Sequence, residues 1–223
     1  MFSWVLIRAD GIRIRHTVAA VSPPSAAALL RVQLRDAWMS ARWVLEGIDD
    51  EEYFWEATPL CWSVRRRGDA ARAWGSGEFV CEDAWPPPEP LPIPTIAWRV
   101  IHLAAWTDVY RNFTFGDLRP NLNDFDVPGD CAAGVAWLYR AQDEFIGAVD
   151  ALSDESAFEL RPAHWGEQVP VVKLVTSMLT EHVHHIAEIS LLRDLRRGRA
   201  RVQPPPPALP GPNWWSPTLP PNA

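Results

Sequence analysis

The chain has 223 residues, 48% hydrophobic and 22% charged, with a net charge of −7 at pH 7 and a pI near 5.4. That composition belongs to a globular protein with one sizeable core, and the acidic balance excludes the basic surface a nucleic-acid partner requires. No apolar run reaches ~18 residues, which excludes a membrane-spanning helix; Cys61, Cys81 and Cys131, odd in number and without a CxxC, read as reduced thiols of a cytoplasmic protein rather than a zinc ribbon or a disulfide framework.

Residues 1–24 alternate weakly in "IRIRHTVAAV" and end in "SPP". They read as a short strand, an arm without fixed structure, or an extended translation start. Arg8 and Asp10 interrupt the apolar start, which argues against a secretory signal. Ser25 is an N-cap for helix one, whose Leu30, Leu34, Ala37, Ala41, Val44 and Ile48 fall on one stripe.

Residues 49–94 break helices with Gly, Pro and acidic clusters yet hold four tryptophans. Tryptophan buries a large apolar area and orders the chain that carries it, so this segment is an irregular but packed Trp-rich loop with a small hairpin around "AWGSGEFV". Helix two follows Pro94, capped by Thr95 and stopped by Gly116. Helix three spans about 130–152, with Asp143 and Glu144 at a surface edge. Helix four begins near Pro170 and ends near Arg197, with Gly198 as the residue that turns out of it. Residues 199–223 are proline-rich and read as an extended, solvated tail, a PxxP-like pattern notwithstanding. The predicted organisation is an N-terminal arm (1–24), an all-α four-helix bundle with a long crossover (25–198) and a tail (199–223).

Helix four carries "TEHVHHIAEI", three of the chain's six histidines and two glutamates within ten residues. In one phase its inward seam is Leu174, Met178, Glu181, His185, Glu188, Leu192 and Leu195; in another it is Val171, Val175, Met178, His182, His185, Ile189 and Leu192. Both turn His185 inward. In the first, a buried carboxylate beside an imidazole needs a partner, and a metal ion satisfies both. His102, on an apolar face of helix two, is the natural third ligand; alone it would more often be an ordinary core histidine. His182 and His184 lie nearer the stripe edges, and the bland alternative is a solvated polar helix face. His164, in "RPAHWGEQ", is placed at a pocket mouth with Trp98 and Trp106 and the Trp-rich loop as walls, and His16 has no role.

Through "EGIDDEEYFWEATPLCWSVRRR", "TIAWRVIHLAAW" and "TEHVHHIAEISLLRDL", the chain resembles the DinB-like helical-bundle family, which includes the maleylpyruvate isomerases, and especially its actinobacterial members. The resemblance covers about residues 28–197. It implies a four-helix bundle with a long crossover and a divalent metal held by three histidines, one on helix two and two on helix four. His102 matches the first and His185 the last; Glu181 stands where the middle histidine falls. The expected ligand set is therefore His102, Glu181 and His185, with Glu188 or His184 orienting a ligand and Zn, Ni, Fe or Mn as the metal.

The resemblance also implies an activity. Characterised relatives are thiol transferases acting with mycothiol, bacillithiol or glutathione, so a low-molecular-weight thiol and a small electrophile are the expected partners, in a possible homodimer. The alternative is a non-catalytic metal-binding or partner-binding, stress-related helical-bundle module. A carboxylate-bridged two-metal bundle is disfavoured, since Glu181-x-x-His184 has no second copy.

Overall fold

Four long helices carry the structure: α1 (Ala26–Leu45), α3 (Ile96–Phe115), α4 (Cys131–Asp150) and α5 (Val171–Arg196). A single-turn helix, α2 (Asp50–Tyr53), lies between the first two. The computed structural model describes residues 3–7, 13–17, 25–117 and 120–198. The N-terminal segment forms an antiparallel hairpin of β1 (Ser3–Ile7) and β2 (Arg13–Thr17). The proline-rich tail, 199–223, lies outside the described residues. None of the described helices is long and apolar enough to cross a membrane.

The helix starts are set by local chemistry. Ser25 accepts from the Ala28 amide, Thr95 from Trp98 and Asp130 from Ala133, each satisfying an amide that the first turn leaves unpaired. Gly116 ends α3, and Gly198, at φ 65°, turns the chain out of α5.

The order of the helices in space follows from their contacts. The Trp38 ring meets that of His182 at 4.1 Å, and Arg193 bonds the Val44 and Glu46 carbonyls, so α1 and α5 run parallel. Trp137 donates to Asp108, Arg111 pairs with Glu144 and Phe115 meets Phe145, so α3 and α4 also run parallel. Helices of 20 residues are about 30 Å long. The crossover is therefore the short stretch 116–130, which must return the chain from the end of α3 to the other end of the bundle, where Cys131 bonds Asp50. The longer Trp-rich loop starts and finishes at that same end.

That loop is folded. β3 (Val64–Arg66), β4 (Ala73–Trp74) and β5 (Phe79–Glu82) form an antiparallel sheet in the order β3-β5-β4, and the β4–β5 hairpin lies where "AWGSGEFV" predicts it. Glu82 clamps it by accepting from the Ser63 amide and from Arg65 Nε, both at 2.9 Å. Thr95 N donates to the Trp62 carbonyl at 2.8 Å and Trp98 Nε1 to the Glu82 carbonyl at 2.5 Å, tying the sheet to the start of α3. A second hairpin, β6 (Leu160–Pro162) and β7 (Gln168–Pro170), precedes α5, in a stretch read from sequence only as a connection.

The core is lined by Leu30, Leu34 and Trp38 of α1, Ile101 and Leu103 of α3, Leu138 and Phe145 of α4, and Leu174, Met178 and Ile189 of α5. All three cysteines are buried and unbridged. Asp143 and Glu144 lie at the surface as expected, paired with Arg42 and Arg111.

Candidate metal centre

The face that α5 buries is the second of the two phases. Val171, Val175, Met178, His182, His185, Ile189 and Leu192 are inside, with Leu174. Leu195, which the first phase turns inward, is 51% exposed, and Glu181 and Glu188 stand at the rim. The reason is the pair of neighbouring helices: α1 claims the His182 side of α5 and α3 the Glu181 and Glu188 side, so the carboxylates emerge where α3 and α5 part towards solvent.

His182 is thereby separated from the other polar residues. It is fully buried, tilted against Trp38, with its Nε2 3.1 Å from Gln142 Nε2. The amide donates to Nε2, which leaves the ring proton on Nδ1. Burial, with the nearby charge of His185, pushes its pKa down to about 3, so it is a neutral core histidine and no part of the cluster.

His102, Glu181 and His185 do converge. Glu181 Oε2 is 4.0 Å from His102 Nε2 and 3.5 Å from His185 Nε2, and the ligand atoms of all three lie within 4.8 Å of one another. Donors on a tetrahedral Zn-type ion with bonds of about 2.0–2.2 Å stand roughly 3.3–3.6 Å apart, so a small contraction would close this set on a metal. Two imidazoles and a carboxylate suit Zn, Ni, Fe or Mn alike.

The electrostatics prepare the donors. The two imidazoles hold the Glu181 carboxyl well below the usual carboxylate range, against its own partial burial. Burial lowers the His102 pKa in spite of Glu181, keeping a lone pair available. Burial also works against the charged form of His185, but Glu181 and Glu188 outweigh it and raise its pKa.

Outer partners fix the rings. Glu188 Oε2 lies 2.7 Å from His185 Nδ1, so Nδ1–H donates to the carboxylate and Nε2 faces Glu181. Arg99, buried on α3, bonds the same Glu188 oxygen and stands 3.3 Å from His185 Nδ1. The largest influence on Arg99 is burial, which lowers its pKa, yet a guanidinium remains charged at neutral pH. His184, 63% exposed, reaches Glu188 Oε1 at 3.3 Å. Sequence reasoning passed over Arg99; its signal is a lone arginine among the apolar residues of "IAWRVIHL".

Aromatic rings flank the centre. Trp98 stacks on His102 at 4.5 Å and Trp62 on Trp98 at 6.1 Å. One turn along α3, Trp106 meets His164 at 4.8 Å, and Tyr110 meets it at 5.2 Å. Trp98, His102, Trp106 and Tyr110 recur every four residues, one stripe along the helix. His164 sits at the turn of the β6–β7 hairpin, beside this stripe rather than in the donor set. Of the four loop tryptophans, Trp62 joins these rings, Trp74 is buried elsewhere and Trp85 is 89% exposed. His16 lies in β2, outside the residues whose side chains are described.

The family model of the DinB superfamily matches residues 33–189. The chain belongs to the DinB superfamily. A solved DinB-like protein from Bacillus cereus ATCC 10987 is similar in fold, with a TM-score of 0.50 at 14% identity, covering 74% of this chain and 91% of that one. A search of curated proteins gives no match. The DinB superfamily match spans α3 and most of α5, and so includes His102, Glu181 and His185.

Proposed function

We propose that this DinB superfamily protein is a divalent-metal-dependent S-transferase that joins a low-molecular-weight thiol, of the mycothiol or bacillithiol type, to a small electrophile. The observation that carries the reading is the convergence of His102, Glu181 and His185, two imidazoles and a carboxylate from two helices, at the solvent edge of the bundle. Three protein donors leave a fourth position for an exchangeable ligand. A divalent metal there would hold the thiol as thiolate and so supply a nucleophile at neutral pH.

The chain's own residues have separable tasks in this reading. Glu188 keeps the His185 proton on Nδ1, so that Nε2 is the donor. The Trp98 ring sets the plane of His102 by stacking. Trp106, Tyr110 and His164 present apolar ring surface beside the donors, suited to an organic substrate and to limiting water. Substrate orientation falls to these rings.

The test has two stages. Elemental analysis of untagged protein is expected to give close to one Zn, Ni, Fe or Mn per chain. Mass spectrometry should then detect metal-dependent conjugation of a cysteinyl pseudodisaccharide thiol to a model electrophile. Stoichiometric metal without conjugation would move the protein to the non-catalytic metal-binding reading; no metal, and none taken up on soaking, would overturn both.

A further inference from the structure

His185 faces two candidate ligand sets, one on each ring nitrogen. On the Nε2 side are His102 and Glu181; on the Nδ1 side are His184 and Glu188, whose ligand atoms with that of His185 also lie within 4.8 Å of one another. A neutral imidazole offers a single lone pair, so an ion on one nitrogen leaves the proton on the other. The two sets are thus alternatives distinguished by the tautomer of one ring.

Arg99 breaks the tie. Its Nη1 bonds Glu188 Oε2 and stands 3.3 Å from His185 Nδ1, which puts a permanent cation inside the space a dication would need on that side. The same bond holds Glu188 Oε2 at 2.7 Å from Nδ1, where it accepts the ring proton. Like charges so close, within a partly buried site, repel strongly. Arg99 is itself buried at the start of α3, three residues before His102.

We propose that Arg99 is a positioning residue that selects the ligand set: acting through Glu188 on His185, it confines the metal to His102, Glu181 and His185 and closes the His184, His185, Glu188 set. The inference rests on the metal-binding part of the reading above and concerns where the ion sits, whatever the reaction.

The experiment is titration with Co²⁺, read by its visible absorption and by bound Co per chain after gel filtration. Wild type should bind one Co²⁺, and His102→Ala should lose it. Adding Arg99→Gln to His102→Ala should restore a bound Co²⁺ with a changed spectrum, at least about tenfold tighter than in His102→Ala alone. That regained ion should vanish when His184→Ala is added, and Arg99→Lys, which keeps the charge, should not restore it. Absence of regain in a cooperatively melting Arg99→Gln or Arg99→Met protein, regain that ignores His184, or regain with lysine would each overturn the proposal. Should neither neutral variant fold, His102→Ala under excess Co²⁺ decides: a bound ion that is lost when His184→Ala is added overturns selection by Arg99, and no bound ion supports it. A wild type that binds no Co²⁺ refutes the metal reading itself, which is a separate outcome.

Discussion

Glu188 and His185 lie one turn apart on α5, and the carboxylate accepts the ring's Nδ1 proton at 2.7 Å. This bond decides which nitrogen of His185 is the donor. Glu188→Gln can place an amide N–H where the acceptor stood, favouring the wrong tautomer. Metal affinity is expected to fall about 10–100-fold, the usual effect of losing such a partner, measured by competition with a chromophoric chelator. An unchanged affinity would remove Glu188 from the centre.

Glu181 supplies the anionic donor. Glu181→Ala leaves two imidazoles and should weaken binding more than the Glu188 change does. Glu181→His rebuilds a three-histidine set and should retain about one metal per chain, with the preference moved towards softer, nitrogen-favouring ions. Elemental analysis after growth in mixed metals checks both.

His182 carries an acid liability. Its folded pKa, near 3, is depressed below the ordinary value of 6.5 by burial. The unfolded chain therefore binds a proton that the folded chain refuses. The neutral ring costs nothing above about pH 6.5; between there and pH 3, stability falls by up to about 1.4 kcal/mol per pH unit from this group. His182→Gln cannot titrate and should show a flatter loss of stability in urea melts between pH 7 and 4, with metal content unchanged. A parallel pH dependence in the two proteins would show that His182 does not titrate as described.

Gly134 of α4 and Tyr53 of α2 form a tight contact beside Ile101 of α3. A Cβ on Gly134 would lie 2.2 Å from Tyr53 Oη, and that buried hydroxyl has no hydrogen-bond partner among the described residues. Gly134→Ala is expected to cost about 1–3 kcal/mol by overpacking. Tyr53→Phe should be neutral or stabilising, because it removes an unsatisfied buried hydroxyl, and should rescue part of the Gly134→Ala loss. Thermal melts of the two single variants and the double measure the coupling.

The four long helices were legible in the sequence because their signals are local. Ser25 and Thr95 cap through bonds within one turn, Gly198 turns the chain out of α5 through its positive φ, and the apolar spacing of α1 follows from helix geometry alone. His185 was legible for the same reason, since both phases of α5 turn it inward. The phase itself was not. Period alone cannot separate two stripes some 60° apart, and the choice fell to α1, whose Trp38 claims His182, and to α3, which leaves Glu181 and Glu188 at the rim. The parallel run of α3 and α4, the β6–β7 hairpin that carries His164 to Trp106, and the bond from Arg99 to Glu188 were decided only by tertiary structure. Each joins residues far apart in the chain, and spacing along a sequence holds no information about which distant side chain will neutralise a buried charge.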